Sequence, residues 1–110
     1  MTQANNVANA SRGEAQISVG DRTYILRPSF QALIAAEEEL GSLFDLVERA
    51  AAGRLLLSEI VALFWHCLAD RDDALDRDHF GEDVTRLGLA GMTPALRIIL
   101  KQIVAGRADP

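Results

Sequence analysis

The 110-residue chain contains one cysteine, Cys67, so no internal disulfide can form and nothing points to an oxidising compartment. Lysine occurs once, at Lys101, and sixteen acidic residues outnumber eleven basic ones for a formal charge of −5. A nucleic-acid binder held by phosphate neutralisation needs a basic stripe, which this balance does not supply. No uninterrupted apolar run approaches the roughly 18 to 20 residues of a membrane span. Met1 to Ser11 is small and polar rather than basic and then apolar, so no leader is expected and the cytoplasm is the expected compartment. One cysteine and two histidines fall short of a zinc ligand set. The segment Gly81 to Gly91 lacks the Gly-Lys-Ser/Thr ending and spacing of a phosphate-binding loop. What the chain does have is 49% hydrophobic residues in a length that allows one modest core.

The patterning predicts an α+β fold, an N-terminal antiparallel β-hairpin packed on a bundle of four to five short α-helices. Residues 1–13 read as a disordered arm, 14–106 as a single domain and 107–110 as a frayed tail. Around Gly20-Asp21 the apolar residues alternate, and Gly suits the first central position of a two-residue turn. That turn sets Val19 opposite Arg22, Ile17 opposite Tyr24 and Ala15 opposite Leu26. Ile17, Val19, Tyr24 and Leu26 then share one side, and Ile25 is the apolar exception on the other. A lone ribbon must lie on helices, and it leaves unpaired edges that a partner could use.

After Pro28 the period changes to 3.6. Ser29 is the expected N-cap of a helix running to about Leu40, stopped by Gly41, with Phe30, Leu33, Ile34 and Glu37 on one face. Ser42-Leu43-Phe44-Asp45 reads as a capping box opening a second helix that ends near Gly53. A third follows a Ser58 cap and runs to about Ala69. Its apolar residues Ile60, Leu63, Phe64, Cys67 and Leu68, flanked by Val61 and Trp65, span about 200° at ~100° per residue, which makes it the central helix. Phe80, Val84 and Leu87 mark a short fourth helix ended by Gly88 or Gly91. Thr93 and Pro94 read as the cap and first position of a fifth, with Leu96, Ile99, Leu100 and Ile103 as its stripe.

No catalytic, metal or cofactor constellation survives inspection of the spacing. The acidic connection Asp70, Asp72, Asp73, Asp76, Asp78 fails as a calcium loop: Phe80 offers no oxygen where one is needed and the closing acid falls on Leu87. Arg71 and Arg77 also neutralise part of it. His66 and Cys67 are neighbours on a helix and diverge by about 100°, so they do not form a nucleophile and base. Cys67 belongs to the apolar stripe. Glu37 shares the face of Phe30, Leu33 and Ile34, where a carboxylate is costly unless paired with Arg27, Tyr24 or a helix N-terminus, or used by a partner. The interface candidates are Glu37, Trp65, Leu68, Ile25 and Ile98, the last opposite the stripe of the fifth helix.

The order Tyr24-Ile-Leu-Arg27, Phe30-x-Ala32-Leu33, Glu37-x-x-x-Gly41-Ser42-Leu43, Leu46-Val47-x-Arg49 and Gly53 resembles the small tail proteins of gene transfer agents and related long-tailed phages. That family is classed among phage tail assembly chaperones and is also labelled a tail tube protein. The likeness covers most of residues 14 to 105. The charged insertion Asp70 to Asp78 and the polar N-terminal arm depart from it. The resemblance implies a non-enzymatic protein without cofactors that coats the long helical tape measure protein, keeps it soluble and recruits tail tube subunits, in the bacterial cytoplasm or on assembling particles. Two other roles stay open: a structural subunit of the tail tube, and a small regulatory dimer that binds another protein.

Overall fold

The computed structural model describes residues 13–106. Strands β1 (Ala15–Val19) and β2 (Arg22–Leu26) form a two-stranded antiparallel sheet, followed by helices α1 (Phe30–Leu40), α2 (Leu43–Ala51), α3 (Leu57–Cys67) and α4 (Arg77–Ala105). The hairpin register is Ala15 opposite Leu26, Ile17 opposite Tyr24 and Val19 opposite Arg22, as the turn predicts. Gly20 supplies the positive φ of 62° that the turn requires. Ala15, Ile17, Val19 and Leu26 are buried, so the ribbon lies with one face on the helices. The expected arm and tail fall outside the described residues, Gly13 apart.

Ser29 caps α1, its Oγ accepting from the Ala32 N–H at 3.1 Å, and Ser42 caps α2 through the Asp45 N–H at 3.2 Å. The face that α1 buries differs from the expected one. Ala36 is fully buried, Ala32, Leu33 and Leu40 pack against the core, and Phe30 is 79% exposed. The helix is turned by about one residue position, roughly 100°. Small Ala32 and Ala36 permit close approach to α3, which the larger Phe30 and Ile34 would prevent.

Helix α3 begins one residue before the expected Ser58 cap. Leu56 is the N-cap, and Glu59 reaches back to accept from the Leu56 N–H at 2.9 Å, a function Ser58 cannot perform from inside the first turn. Ile60, Ala62, Leu63, Phe64 and Cys67 are buried, which makes α3 the middle of the core. The helix ends at Cys67 because Leu68 leaves it to form an antiparallel bridge with Leu26. One edge of the hairpin, expected to be open, is therefore closed along part of its length.

Two of the expected helices are a single element broken at Gly88, where φ is 73° and ψ is 169°. The second arm resumes directly after Gly88 rather than at Thr93. Thr93 Oγ1 donates to the Leu89 carbonyl at 2.6 Å instead of capping, and Pro94 lies inside the helix. The first arm buries Phe80 and Val84, the second Met92, Ala95 and Ile99, so the break lets both reach one core. By length and composition α4 is also long and apolar enough to cross a membrane, with a mean hydropathy of 1.3 over its best window. Its leucine, isoleucine and valine residues give it that value, with Arg97 and Lys101 interrupting the run.

Candidate interaction surface

The hairpin is fastened to α4 by a buried carboxylate. Tyr24 Oη donates to Asp83 Oδ2 at 2.5 Å, and Arg86 Nη1 and Arg22 Nη1 approach the same carboxylate at 3.2 and 3.5 Å. Burial, reinforced by the neighbouring Asp83 carboxylate, raises the Tyr24 phenol above its ordinary value of 10.0. The Tyr24 ring meets Phe80 edge-on at 5.1 Å between centroids, and Trp65 packs against Phe80 at 5.8 Å with the rings tilted by 50°. Arg71 lies over the Trp65 ring at 4.3 Å, shielding its outer face.

Beside this aromatic row runs a trough between β2 and the 68–75 connection. Its narrower part, of about 260 Å³, is lined by Thr23, Ile25, Leu68, Asp70 and Leu75 among others. The wider part, of about 480 Å³, continues past Arg22, Thr23, Asp72, Ala74 and His79. The connection is tied down by local bonds: Asp72 Oδ1 accepts from the Ala74 N–H at 2.9 Å, and Asp76 caps α4 through the His79 N–H at 2.8 Å. That amide and the His79 ring hold the Asp76 carboxyl below its usual range. Among the described residues no group of three or more His, Cys, Asp or Glu is placed to hold a metal ion.

Two polar clamps order the helices. Glu39 on α1 accepts from both terminal nitrogens of the Arg77 guanidinium, Nη2 at 2.6 Å and Nη1 at 3.0 Å, and stands 2.7 Å from His66 Nε2. Arg77 first, then His66, hold the Glu39 carboxyl down at about 2. Arg49 at the end of α2 grips Glu59 at the start of α3 through two bonds of 2.7 and 2.8 Å. Arg49, followed by the Leu56 N–H, lowers the Glu59 carboxyl.

Of the five residues expected at an interface, the structure brings Ile25 and Leu68 together on the trough, with half-buried Trp65 joined to its rim through Arg71. Glu37 stands elsewhere, at the corner between α1 and α2, where its Oε2 accepts from the Leu43 N–H at 3.2 Å. A helix N-terminus is thus the partner that this carboxylate finds. Ile98 is on the second arm of α4 and is 37% exposed. Sequence reasoning missed Asp83, although it lies on the face set by Phe80, Val84 and Leu87, and the rule that singled out Glu37 would have found it. It also missed the exposure of Phe30 and Phe44, at 79% and 69%, since an aromatic at helical spacing reads as core.

The family described as "Phage tail tube protein, GTA-gp10" matches residues 12–106 of this sequence, which takes in the hairpin and all four helices. The chain belongs to this family. No curated protein and no solved structure matches it. Membership places the protein with gene transfer agent and phage tails, and points to tail-associated protein partners in general.

Proposed function

We propose that this member of the phage tail family acts by binding rather than catalysis, as an assembly chaperone that holds segments of the tape measure protein soluble until tail tube subunits close around them. The observation that carries this reading is the number of large apolar side chains left in solvent on a domain of this size. Phe30, Phe44, Leu56, Leu57, Leu89 and Val104 are all exposed while the core is filled. Aromatic and aliphatic groups of this kind supply the energy of protein interfaces. Ile25, Leu68 and Trp65 add the trough, Ile98 adds the flank of α4, and Glu37 fixes the α1–α2 corner that presents Phe44. The bacterial cytoplasm is where such a client would be held.

A second reading, a subunit retained in the tail tube, is favoured by the family description itself. Two measurements separate them. Co-expression with the tape measure protein from the same cluster should raise the soluble fraction of that protein, and mass spectrometry of purified particles should find this chain far below tube stoichiometry. Recovery at tube stoichiometry, with an insoluble tape measure protein, would overturn the chaperone reading in favour of the subunit.

A further inference from the structure

The connection after α3 begins a third strand on the hairpin and abandons it. Arg27 N–H donates to the Cys67 carbonyl at 2.6 Å and Ala69 N–H to the Ile25 carbonyl at 2.9 Å, the two bonds of an antiparallel bridge. In a hairpin with a two-residue turn the flanking pair is hydrogen-bonded, so Arg22, Tyr24 and Leu26 direct their backbone groups to β1. Thr23, Ile25 and Arg27 direct theirs to the outer edge. Continuing the third strand would place the next residues beside Tyr24 and Thr23. Asp70 prevents this: its φ of 53° is the one positive value at a non-glycine position among the described residues, and it turns the chain away. The Ile25 N–H and the Thr23 N–H and C=O are left without a backbone partner among the described residues. Thr23 and Ile25 line the trough where a strand would lie.

Carboxylates outnumber cations on the lining of the narrower part, two to one. Asp70 and Asp72 line it and Asp73 adjoins them. The cation of that lining is Arg71, which lies over the Trp65 ring, and Arg22 on the wider part is balanced by the nearby Asp83 carboxylate. A second copy of this chain pairing edge to edge would bring its own aspartates against these, at a cost in repulsion. We propose that the Arg22–Ile25 edge is a strand-addition site for an extended segment of a partner protein carrying basic residues at alternate positions. The backbone of the segment completes the sheet that Asp70 leaves unfinished, and its cations face the aspartates. The proposal rests on the binding role given above and names the kind of segment that this part of the surface takes.

The test uses the full chain, 15N-labelled, titrated with a peptide of alternating lysine and valine, its alternating glutamate and valine counterpart, and the lysine peptide N-methylated at alternate amides. The lysine peptide should move the Thr23 and Ile25 amide resonances and slow their hydrogen exchange, with at least tenfold tighter binding than the glutamate peptide, and N-methylation should abolish it. Thr23→Pro removes the edge donor at an outward-facing position, and should lose binding while far-UV circular dichroism is retained. If that variant does not fold, Asp70→Asn with Asp72→Asn provides the second arm and should weaken the lysine peptide while raising affinity for the glutamate one. Equal binding of the N-methylated peptide, shifts confined to α1 or α4, no binding at all, or a concentration-dependent dimer through this edge would overturn the proposal. Tape measure solubilisation is a separate readout, so a failed titration with successful solubilisation rejects the strand site alone.

Discussion

The Tyr24 hydroxyl and the Asp83 carboxylate, fifty-nine residues apart, share a hydrogen bond of 2.5 Å and so join the hairpin to α4. Asp83 is 6% exposed, whereas the side chains of its two arginine neighbours are 60% and 70% exposed. Screened, mobile guanidinium groups contribute little, so the phenol carries most of the tie. Tyr24→Phe should destabilise the fold by about 1 to 2 kcal/mol, while Arg22→Ala and Arg86→Ala should each cost less than about 0.5 kcal/mol. Thermal unfolding followed by circular dichroism checks this, with roughly 4 to 8 °C expected per kcal/mol in a domain of this size.

The Glu39 clamp gives stability a defined acid dependence. Its carboxyl titrates at about 2 in the folded protein against an ordinary value of 4.5, because Arg77 and then His66 favour the charged form. A carboxyl with a lowered folded value contributes fully above about pH 4.5, and the contribution drains away as pH falls towards about 2. Glu39 is 40% exposed, so the effect is damped by solvent. Urea midpoints should fall between pH 5 and pH 2.5 more steeply in the native sequence than in Glu39→Gln. Parallel curves for the two proteins would show that the clamp contributes nothing.

Much of this architecture is legible in the sequence where local chemistry decides it. The Gly20 turn sets the hairpin register, and Ser29, Gly41 and Ser42 set helix boundaries, because each acts on backbone groups a few residues away. What is decided by packing is not legible. The face of α1 depends on how closely Ala36 approaches α3, and periodicity alone favoured the larger Phe30 and Ile34. The partial third strand at Leu68 depends on a pairing with Leu26 that no local signal announces. The trough exists because of it, so Ile25 could be chosen as the apolar exception on the ribbon and Leu68 from the apolar arc of the third helix, but their meeting could not be foreseen.

Gly88 determines whether α4 serves one core with two arms. Its φ of 73° and ψ of 169° are confined almost wholly to glycine, although a Cβ built there would meet nothing within 4 Å. The cost of Gly88→Ala is therefore conformational, about 1 to 3 kcal/mol. Straightening the helix to relieve it would pull either Phe80 and Val84 or Met92 and Ile99 from the core. Chemical denaturation should show the loss. An unchanged midpoint with increased helical ellipticity would mean that the arms can be joined without cost.

Cys67 offers a probe of opening. Burial pushes its thiol up to about 12 from an ordinary 9.0, and the thiolate is the reactive form. The thiolate fraction is then on the order of a thousandfold lower than for a free cysteine. At pH 8 an aromatic disulfide reagent should label the native protein only through unfolding, and the rate should rise with denaturant in step with the unfolded fraction. Rapid labelling without denaturant would place the α3 terminus in an open state.

Phe30 and Phe44 give the sharpest separation of folding from binding. Both sit on helices that bury a different face, Ala36 on α1 and Leu43 and Leu46 on α2, and both project into solvent at 79% and 69% exposure. Phe30 in particular was expected on the inner face of α1, where truncation to a small residue would leave a cavity and cost about 3 to 5 kcal/mol. With the helix turned so that Ala36 faces α3, Phe30→Ser and Phe44→Ser should each change stability by no more than about 0.5 kcal/mol. Under the chaperone reading the double variant should nevertheless lose most of the increase in soluble tape measure protein seen on co-expression, because interface aromatics carry a disproportionate share of binding energy. A large loss of thermal stability in Phe30→Ser would mean that α1 buries the face its periodicity favours. Full solubilisation by a stable double variant would exclude these side chains from the client surface and leave the β2 trough and the second arm of α4 to account for it.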